Sequence, residues 1–125
     1  MKTIKTTKKH FELFKKECER WIKFFGLIDW RIEYELQDLP NDYARIEADL
    51  CNKWADIWLA DELPKDVTTL QIKRSAFHEV CHLLSYGLQF IFEAGINGQG
   101  AKDVRDREME SFCRRLENSV FKKLG

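Results

Sequence analysis

The stretch that most constrains this 125-residue chain is residues 77–84, which contain the pattern His-Glu-x-x-His. Residues four apart in a helix project to the same side, so His78 and His82 would carry two neighbouring imidazoles, about 6 Å apart along the axis. Two neutral imidazole nitrogens so placed can bind one Zn²⁺, at about 2.0–2.1 Å each. Glu79 would then lie beside the ion, where it can hold a water on the zinc and accept its proton.

The residues around this pattern predict a buried helix. Thr68 and Gln71 have the spacing of a capping box, with Pro64 just outside it. Residues 76–92 are apolar almost all round, and a helix of that kind is usually buried. Apart from Glu79, their polar side chains fall along one narrow stripe: His78, His82, Ser85, Tyr86 and Gln89. Because an unpaired buried polar group costs about 1–3 kcal/mol, this polar seam is where a metal site is expected.

The alternative to a metal site is a pair of core histidines that satisfy each other and their neighbours. Chance matches to five residues occur, and an interaction domain without metal could contain one. The apolar helical context and the carboxylates further along the chain favour a metal site.

Composition bounds the rest of the interpretation. The length suits a single domain over residues 1–125, and 44% apolar with 34% charged residues is an ordinary globular balance. Lys+Arg and Asp+Glu are 21 each, so the zero net charge gives no general attraction to nucleic acid or anionic membranes, and neither is expected as a partner. With no apolar leader and no run of 18 apolar residues, we expect a cytoplasmic chain whose four scattered cysteines are reduced.

Hydrophobic periodicity predicts an α+β fold. After a flexible tail over residues 1–6, Thr7 can cap a helix that runs to about Phe25 and ends at Gly26. Alternating apolar residues over 30–37, 44–50 and 54–60 then predict three strands in a small antiparallel meander.

The predicted C-terminal part is a loop followed by a last helix. Residues 93–100 contain three of the six glycines and are expected to form a flexible loop. Asp103 can cap the helix that follows. The predicted buried stripe of this helix is Val104, Met109, Phe112, Cys113, Leu116 and Val120.

Two imidazoles do not complete a catalytic zinc site, which commonly has three protein ligands and an open fourth position. Leu88 stands where metzincins carry a third histidine. His10 lies in a Lys-rich helix start that we expect to be exposed. Glu93 lies about 16 Å beyond His82 along the helix axis, too far to share the ion.

A carboxylate from the last helix is therefore the expected third ligand. Asp106, Glu110 and Glu117 lie in one row beside Cys113 at the margin of the buried stripe. We expect Glu110 to bind the metal, with Asp106 or Glu117 as alternatives; as surface residues all three could instead pair with arginines. A carboxylate that is not a ligand could accept the other ring N–H of His78 or His82 and fix its tautomer.

The order of elements over about residues 8–122 resembles the zincin metallopeptidase fold in its smallest form. The chain is most similar to compact gluzincin-type and SprT-like metallopeptidases, including small ones of bacterial viruses. The helix motif carries this resemblance, and residues 109–118 loosely resemble the acidic second motif of that group. The resemblance implies that His78, His82 and Glu110 bind zinc and that Glu79 is the general base. The given chain shows no zinc ribbon and no basic surplus, so a role at DNA is not expected.

The sequence thus favours a zinc-dependent metallopeptidase that acts on a peptide or protein substrate. Glu79 is expected to act as general base on a zinc-bound water. The substrate is expected to add to an edge of the sheet, with Tyr86 as a candidate donor to the oxyanion. The alternative is a zincin-fold binding module that keeps the metal but has weak or no activity. Two histidines and a carboxylate also suit divalent ions other than zinc.

Overall fold

The structure is a computed structural model that describes the backbone of residues 2–95 and 99–124 and the side chains of residues 2–86 and 106–124. Its helices are α1 (Lys8–Phe24), α2 (Thr69–Gly95), α3 (Gln99–Leu116) and α4 (Lys122–Leu124). A π-helical turn, Glu117–Phe121, joins α3 to α4. Its strands are β1 (Thr3–Lys5), β2 (Arg31–Gln37), β3 (Ala44–Asp49), β4 (Trp54–Ala60) and β5 (Glu62–Pro64). This mixed α/β architecture agrees with the α+β class predicted from the sequence.

Local side-chain hydrogen bonds begin α1 where the sequence predicts it. The Thr7 hydroxyl accepts a hydrogen bond from the His10 backbone N–H at 3.1 Å, and the Thr7 N–H donates to His10 Nδ1 at 3.3 Å. The helix ends before Gly26, whose φ of +72° is a left-handed conformation that suits glycine. Four apolar side chains of α1 are buried: Phe14, Cys18, Trp21 and Ile22. The His10 ring thus serves the cap of α1.

The larger sheet has the predicted strands but not the predicted connections. Within the described residues its order is β2-β4-β3, with β4 parallel to β2 and antiparallel to β3. The expected antiparallel meander is therefore wrong. Burial explains the order, because Ala55, Ile57 and Leu59 of β4 are at most 1% exposed and so occupy the centre. The polar alternation of β2 places it at one edge, and β3 forms the other.

The first residues are also more ordered than expected. Thr3–Lys5 pairs antiparallel with Glu62–Pro64, where the sequence analysis expects a flexible tail over residues 1–6. The Thr6 hydroxyl extends this attachment by donating to the Ala60 carbonyl at 2.6 Å. Strands of three residues carry too few side chains to show a period, which is why neither was predicted.

The two long helices leave less chain between them than predicted. The backbone is helical to Gly95 and again from Gln99, so the loop expected over 93–100 is mostly helix, and residues 96–98 lie outside the described backbone. Asp103 lies inside α3 rather than at its start. The side chains of Leu88, Gln89, Glu93, Asp103 and Val104 are outside the described ones. Over the described residues, no helix combines the length and apolarity that crossing a bilayer requires.

Candidate metal centre

Helix α2 carries the site because its other faces are held in the core. The capping box at its start is confirmed: the Gln71 N–H donates to the Thr68 hydroxyl at 3.1 Å and the Thr68 N–H to Gln71 Oε1 at 2.8 Å. Its apolar side chains pack with α1 and the sheet and are at most 3% exposed: Ile72, Ala76, Phe77, Val80, Cys81 and Leu83. The remaining stripe, with His78 and His82, faces a cavity shared with β3 and α3.

Three donor groups converge at this stripe. The Nε2 atoms of His78 and His82 are 3.1 Å apart. Glu110 of α3 reaches both, with Oε1 at 3.0 Å from His82 Nε2 and Oε2 at 3.5 Å from His78 Nε2. When one ligand atom is taken from each of these three residues, the atoms all lie within 4.8 Å of one another. The structure therefore contains a His-His-Glu group that could hold a metal ion.

These distances can be tested against the geometry that zinc requires. In a tetrahedral site with bonds of about 2.0–2.1 Å, ligand atoms lie about 3.3–3.4 Å apart, since a tetrahedron's edge is about 1.63 times its centre-to-corner distance. The separation of 3.1 Å between the two Nε2 atoms is close to that value, and each of these nitrogens has one Glu110 oxygen within 3.5 Å. Two imidazoles and one carboxylate are also a donor set of catalytic zinc sites. The residues present therefore fit the ion that the sequence resemblance implies.

Glu117 occupies a different place from Glu110. The side chains of His78, His82 and Glu110 are called the donor cluster below. Glu117 Oε1 lies in a short contact with Nδ1 of His78, the ring nitrogen that faces away from this cluster. This hydrogen bond is the main reason that the pKa of His78 is raised from its ordinary value of 6.5 to about 9 in the metal-free chain. With Nδ1 donating to Glu117, Nε2 is the nitrogen left to bind a metal.

The second histidine has its own supporting residue. Cys113 of α3 is fully buried and hydrogen-bonds with His82, which contributes to raising the pKa of that histidine against the lowering effect of burial. Cys113 also hydrogen-bonds with Cys81 of α2. The two buried thiols thus contribute to the packing between α2 and α3.

Glu79 lines the same cavity but is almost entirely withdrawn from solvent. It is 7% exposed, and burial raises its pKa from 4.5 to about 7, against the opposing effect of the nearby His82 and His78. A carboxyl whose pKa lies near neutrality can both accept and release a proton under physiological conditions. Glu79 is therefore a buried carboxyl that lies near the two histidines and whose pKa in the chain without a metal is close to neutrality.

The cavity is an open cleft of about 700 Å³. The edge strand β3 and the turn before it form one wall, from Asn41 to Ile46. α2 forms the floor, and Glu110 and Glu117 form the opposite side. Tyr86 also lines the cleft, and burial raises the pKa of its hydroxyl to about 12, so it remains protonated and can donate a hydrogen bond.

Comparisons with protein-family models, curated proteins and solved structures find no match. The chemistry of the site therefore has to be inferred from its own residues and their geometry.

The structure brings together the residues that the sequence analysis nominated, with two differences of role. Glu110, His78, His82 and Glu79 share the cleft, whereas Asp106 is exposed and outside both the donor cluster and the cleft lining. Glu117, considered only as a rival ligand or a tautomer-fixing carboxylate, contacts His78 from the far side.

Arg74 was not considered from the sequence as a residue of the site. Arg74 also lines the cleft. Its position four residues before His78 continues the polar stripe by one turn, and that spacing was the signal that could have identified it.

Proposed function

We propose that this protein is a zinc-dependent metallopeptidase. The observation that carries the proposal is the convergence of His78, His82 and Glu110 within 4.8 Å in an open cleft that also contains the buried carboxyl of Glu79. Those three side chains would hold the ion and leave a fourth position open to the cleft. A bound Zn²⁺ would lower the pKa of a water and polarise a carbonyl in that position.

Glu79 is the residue that moves protons in this proposal. As the ionised carboxylate it accepts a proton from the attacking water while a new C–O bond forms at the scissile carbonyl carbon. It then delivers that proton to the leaving nitrogen as the C–N bond breaks, which returns Glu79 to its ionised form. Burial of Glu79 favours the protonated form that the second transfer requires. Tyr86 is positioned on the same cleft and can donate to the developing oxyanion.

The position of the sheet supports a peptide as substrate. β3 is an edge strand in the described part of the chain, and its N-terminal half forms a wall of the cleft. An extended peptide can add to such an edge through main-chain hydrogen bonds, which recognise any sequence. A peptide held along β3 would pass between the sheet and the donor cluster.

The decisive experiment measures metal content and hydrolysis on the same preparations. We expect about one zinc per chain in the wild-type protein and cleavage of an unfolded protein substrate that chelators abolish and zinc restores. Glu79→Gln should keep the zinc and lose cleavage by at least about 100-fold, the scale of general-base catalysis. Glu108→Gln, a change of the same kind at an exposed residue of α3 outside the cleft, is the matched control.

Two outcomes would contradict the proposal. Full cleavage by Glu79→Gln would remove the general base from the mechanism. Stoichiometric zinc without hydrolysis of any peptide in a broad library would instead favour the binding module that retains its metal.

A further inference from the structure

Arg74 extends the row of functional side chains along α2. Residues 74, 78 and 82 are spaced by four, so they lie on one face of the helix, and all three line the cleft. The donor cluster lies between the levels of His78 and His82, six residues from Arg74, which is about 9 Å along the helix axis. An extended peptide covers that distance in about three residues.

Arg74 is exposed, and no carboxylate among the described side chains forms an ion pair with it. The other arginine of the cleft, Arg45, pairs with Glu47 at 3.8 Å. Arg74 instead lies over the ring of Phe121, with its guanidinium carbon 5.8 Å from the ring centre. This cation–π contact favours one side-chain position without using the hydrogen-bond donors of the guanidinium.

Three of the acidic residues that line the cleft, Glu79, Glu110 and Glu117, belong to the candidate metal centre, and the fourth, Asp42, lies in the turn before β3. Glu110 reaches both histidine Nε2 atoms, and Glu117 pairs with His78. Glu79 is buried at 7% exposure. The guanidinium of Arg74 therefore presents planar donors to the cleft, a geometry that suits a carboxylate in two parallel hydrogen bonds.

We propose that Arg74 binds a substrate carboxylate and thereby selects peptides that carry one within about three residues of the scissile bond, on one side of it. The inference rests on the proposed peptidase function and names its substrate class. A Glu or Asp side chain and the C-terminal carboxylate of a short peptide offer the same chemistry.

The test compares matched peptides on the zinc-loaded protein. A peptide library is first screened for cleavage by mass spectrometry and for binding. One preferred cleavage site, or the tightest-binding peptide where nothing is cleaved, is then rebuilt with Glu or Gln at each of the three positions on either side of its centre. Each peptide is made with a free or an amidated C-terminus, which separates a side-chain carboxylate from the terminal one. Two quantities are measured: kcat/KM with the wild-type protein, and the Kd of the same peptides for zinc-loaded Glu79→Gln by fluorescence anisotropy.

At one position, we expect the carboxylate to raise kcat/KM and to lower Kd about tenfold, which is in the range of a charge-assisted hydrogen-bonded pair. Both effects should be smaller at high salt. In Arg74→Gln, the ratio of kcat/KM for the Glu peptide to that for the Gln peptide should be close to one. Arg74→Lys should retain part of the preference for Glu, and Arg74→Glu should instead prefer a peptide with Lys at that position. Lys73→Gln removes the same charge from the neighbouring residue, which does not line the cleft, and should keep the wild-type ratio.

The outcomes separate this inference from the proposed function. A wild-type protein that cleaves peptides without a carboxylate preference, or a preference that survives in Arg74→Gln, overturns the role of Arg74 and leaves the peptidase intact. Carboxylate-selective binding that depends on Arg74, in a protein that cleaves nothing, supports Arg74 and overturns the peptidase. The absence of selective binding and of cleavage overturns both.

Discussion

The sharpest quantitative prediction concerns the roles of Asp106 and Glu110 of α3 and of Glu117 in the turn that follows it. The structure places Glu110 against both Nε2 atoms, Glu117 against Nδ1 of His78, and Asp106 outside the cleft. Replacing each by its amide keeps size and shape while removing one negative charge. The three variants should therefore lose zinc affinity in the order Glu110→Gln, then Glu117→Gln, with Asp106→Asn as the matched control.

The size of each loss follows from the atoms involved. Glu110→Gln removes a charged oxygen ligand from a three-ligand site, so we expect a loss of more than about 100-fold, beyond the range for residues that only orient a ligand. Glu117→Gln removes an orienting carboxylate, for which 10–100-fold is typical. Its amide oxygen still accepts from Nδ1, so we expect about tenfold, or about 1.4 kcal/mol. Asp106→Asn should change affinity by less than about threefold, as for a surface residue.

Zinc affinity is measured by competition with a chelating dye, and circular dichroism checks that each variant is folded. A second readout separates the two glutamates, because the Glu117 contact is the main cause of the raised pKa of His78. In metal-free Glu117→Gln, NMR titration should show that pKa moving from about 9 towards 6.5. A larger affinity loss in Glu117→Gln than in Glu110→Gln, with the pKa of His78 unmoved, would refute the assignment.

Two further predictions concern stability. In the metal-free protein the folded-state pKa of His78 is about 9 against 6.5, and that of Glu79 is about 7 against 4.5, so both groups bind protons more tightly when folded. The contribution of protonated His78 is complete below pH 6.5 and lost as pH rises through 9, and that of neutral Glu79 is complete below pH 4.5 and lost through 7. In differential scanning calorimetry without zinc, the change in Tm from pH 6 to pH 9.5 should therefore be less favourable in the wild type than in Glu117→Gln, which lacks the contact that raises the pKa of His78; an equal pH dependence of Tm in the two proteins would contradict this. Separately, Thr68→Ala removes the hydroxyl that accepts from Gln71 N–H and should cost about 1 kcal/mol, or about 3–4 °C in Tm. Thr69→Ala, at the first helical residue, should cost clearly less, and equal losses would argue against the capping box.

The parts of the fold that the sequence predicted are those determined by neighbouring residues. The cap at Thr7 and the capping box at Thr68 consist of hydrogen bonds between residues three apart, so the residues that form each one lie within four sequence positions. The reciprocal hydrogen bond to the His10 ring at Thr7 was not predicted. Strand positions follow from alternation, which reports the face that each side chain occupies. Alternation does not report which strand lies next to which, and for this reason the parallel pairing of β2 with β4 was missed.

The candidate site divides in the same way. His78, Glu79 and His82 lie within one helical turn, so their grouping depends on α2 alone. The contribution of α3 depends on how that helix packs against α2, which involves buried contacts such as that between Cys113 and Cys81. The sequence could place Glu110 and Glu117 on one row of the predicted last helix, but it could not give the position of that row along α2 relative to the two histidines.

Glu110 and Glu117 were weighed as competitors for one position, yet the imidazole of His78 offers two. They are seven residues apart, which is about two helical turns, so both face α2 on the same row. Glu110 meets the Nε2 edge of the ring and Glu117 the Nδ1 edge, so α3 and the turn that follows it contact both nitrogens of the same histidine. The backbone becomes π-helical from Glu117 onward, and Phe121 at the end of that turn is buried. Because a displacement of α3 along α2 would move both carboxylates together, the metal site and the α2–α3 packing should be stabilised or lost as a unit.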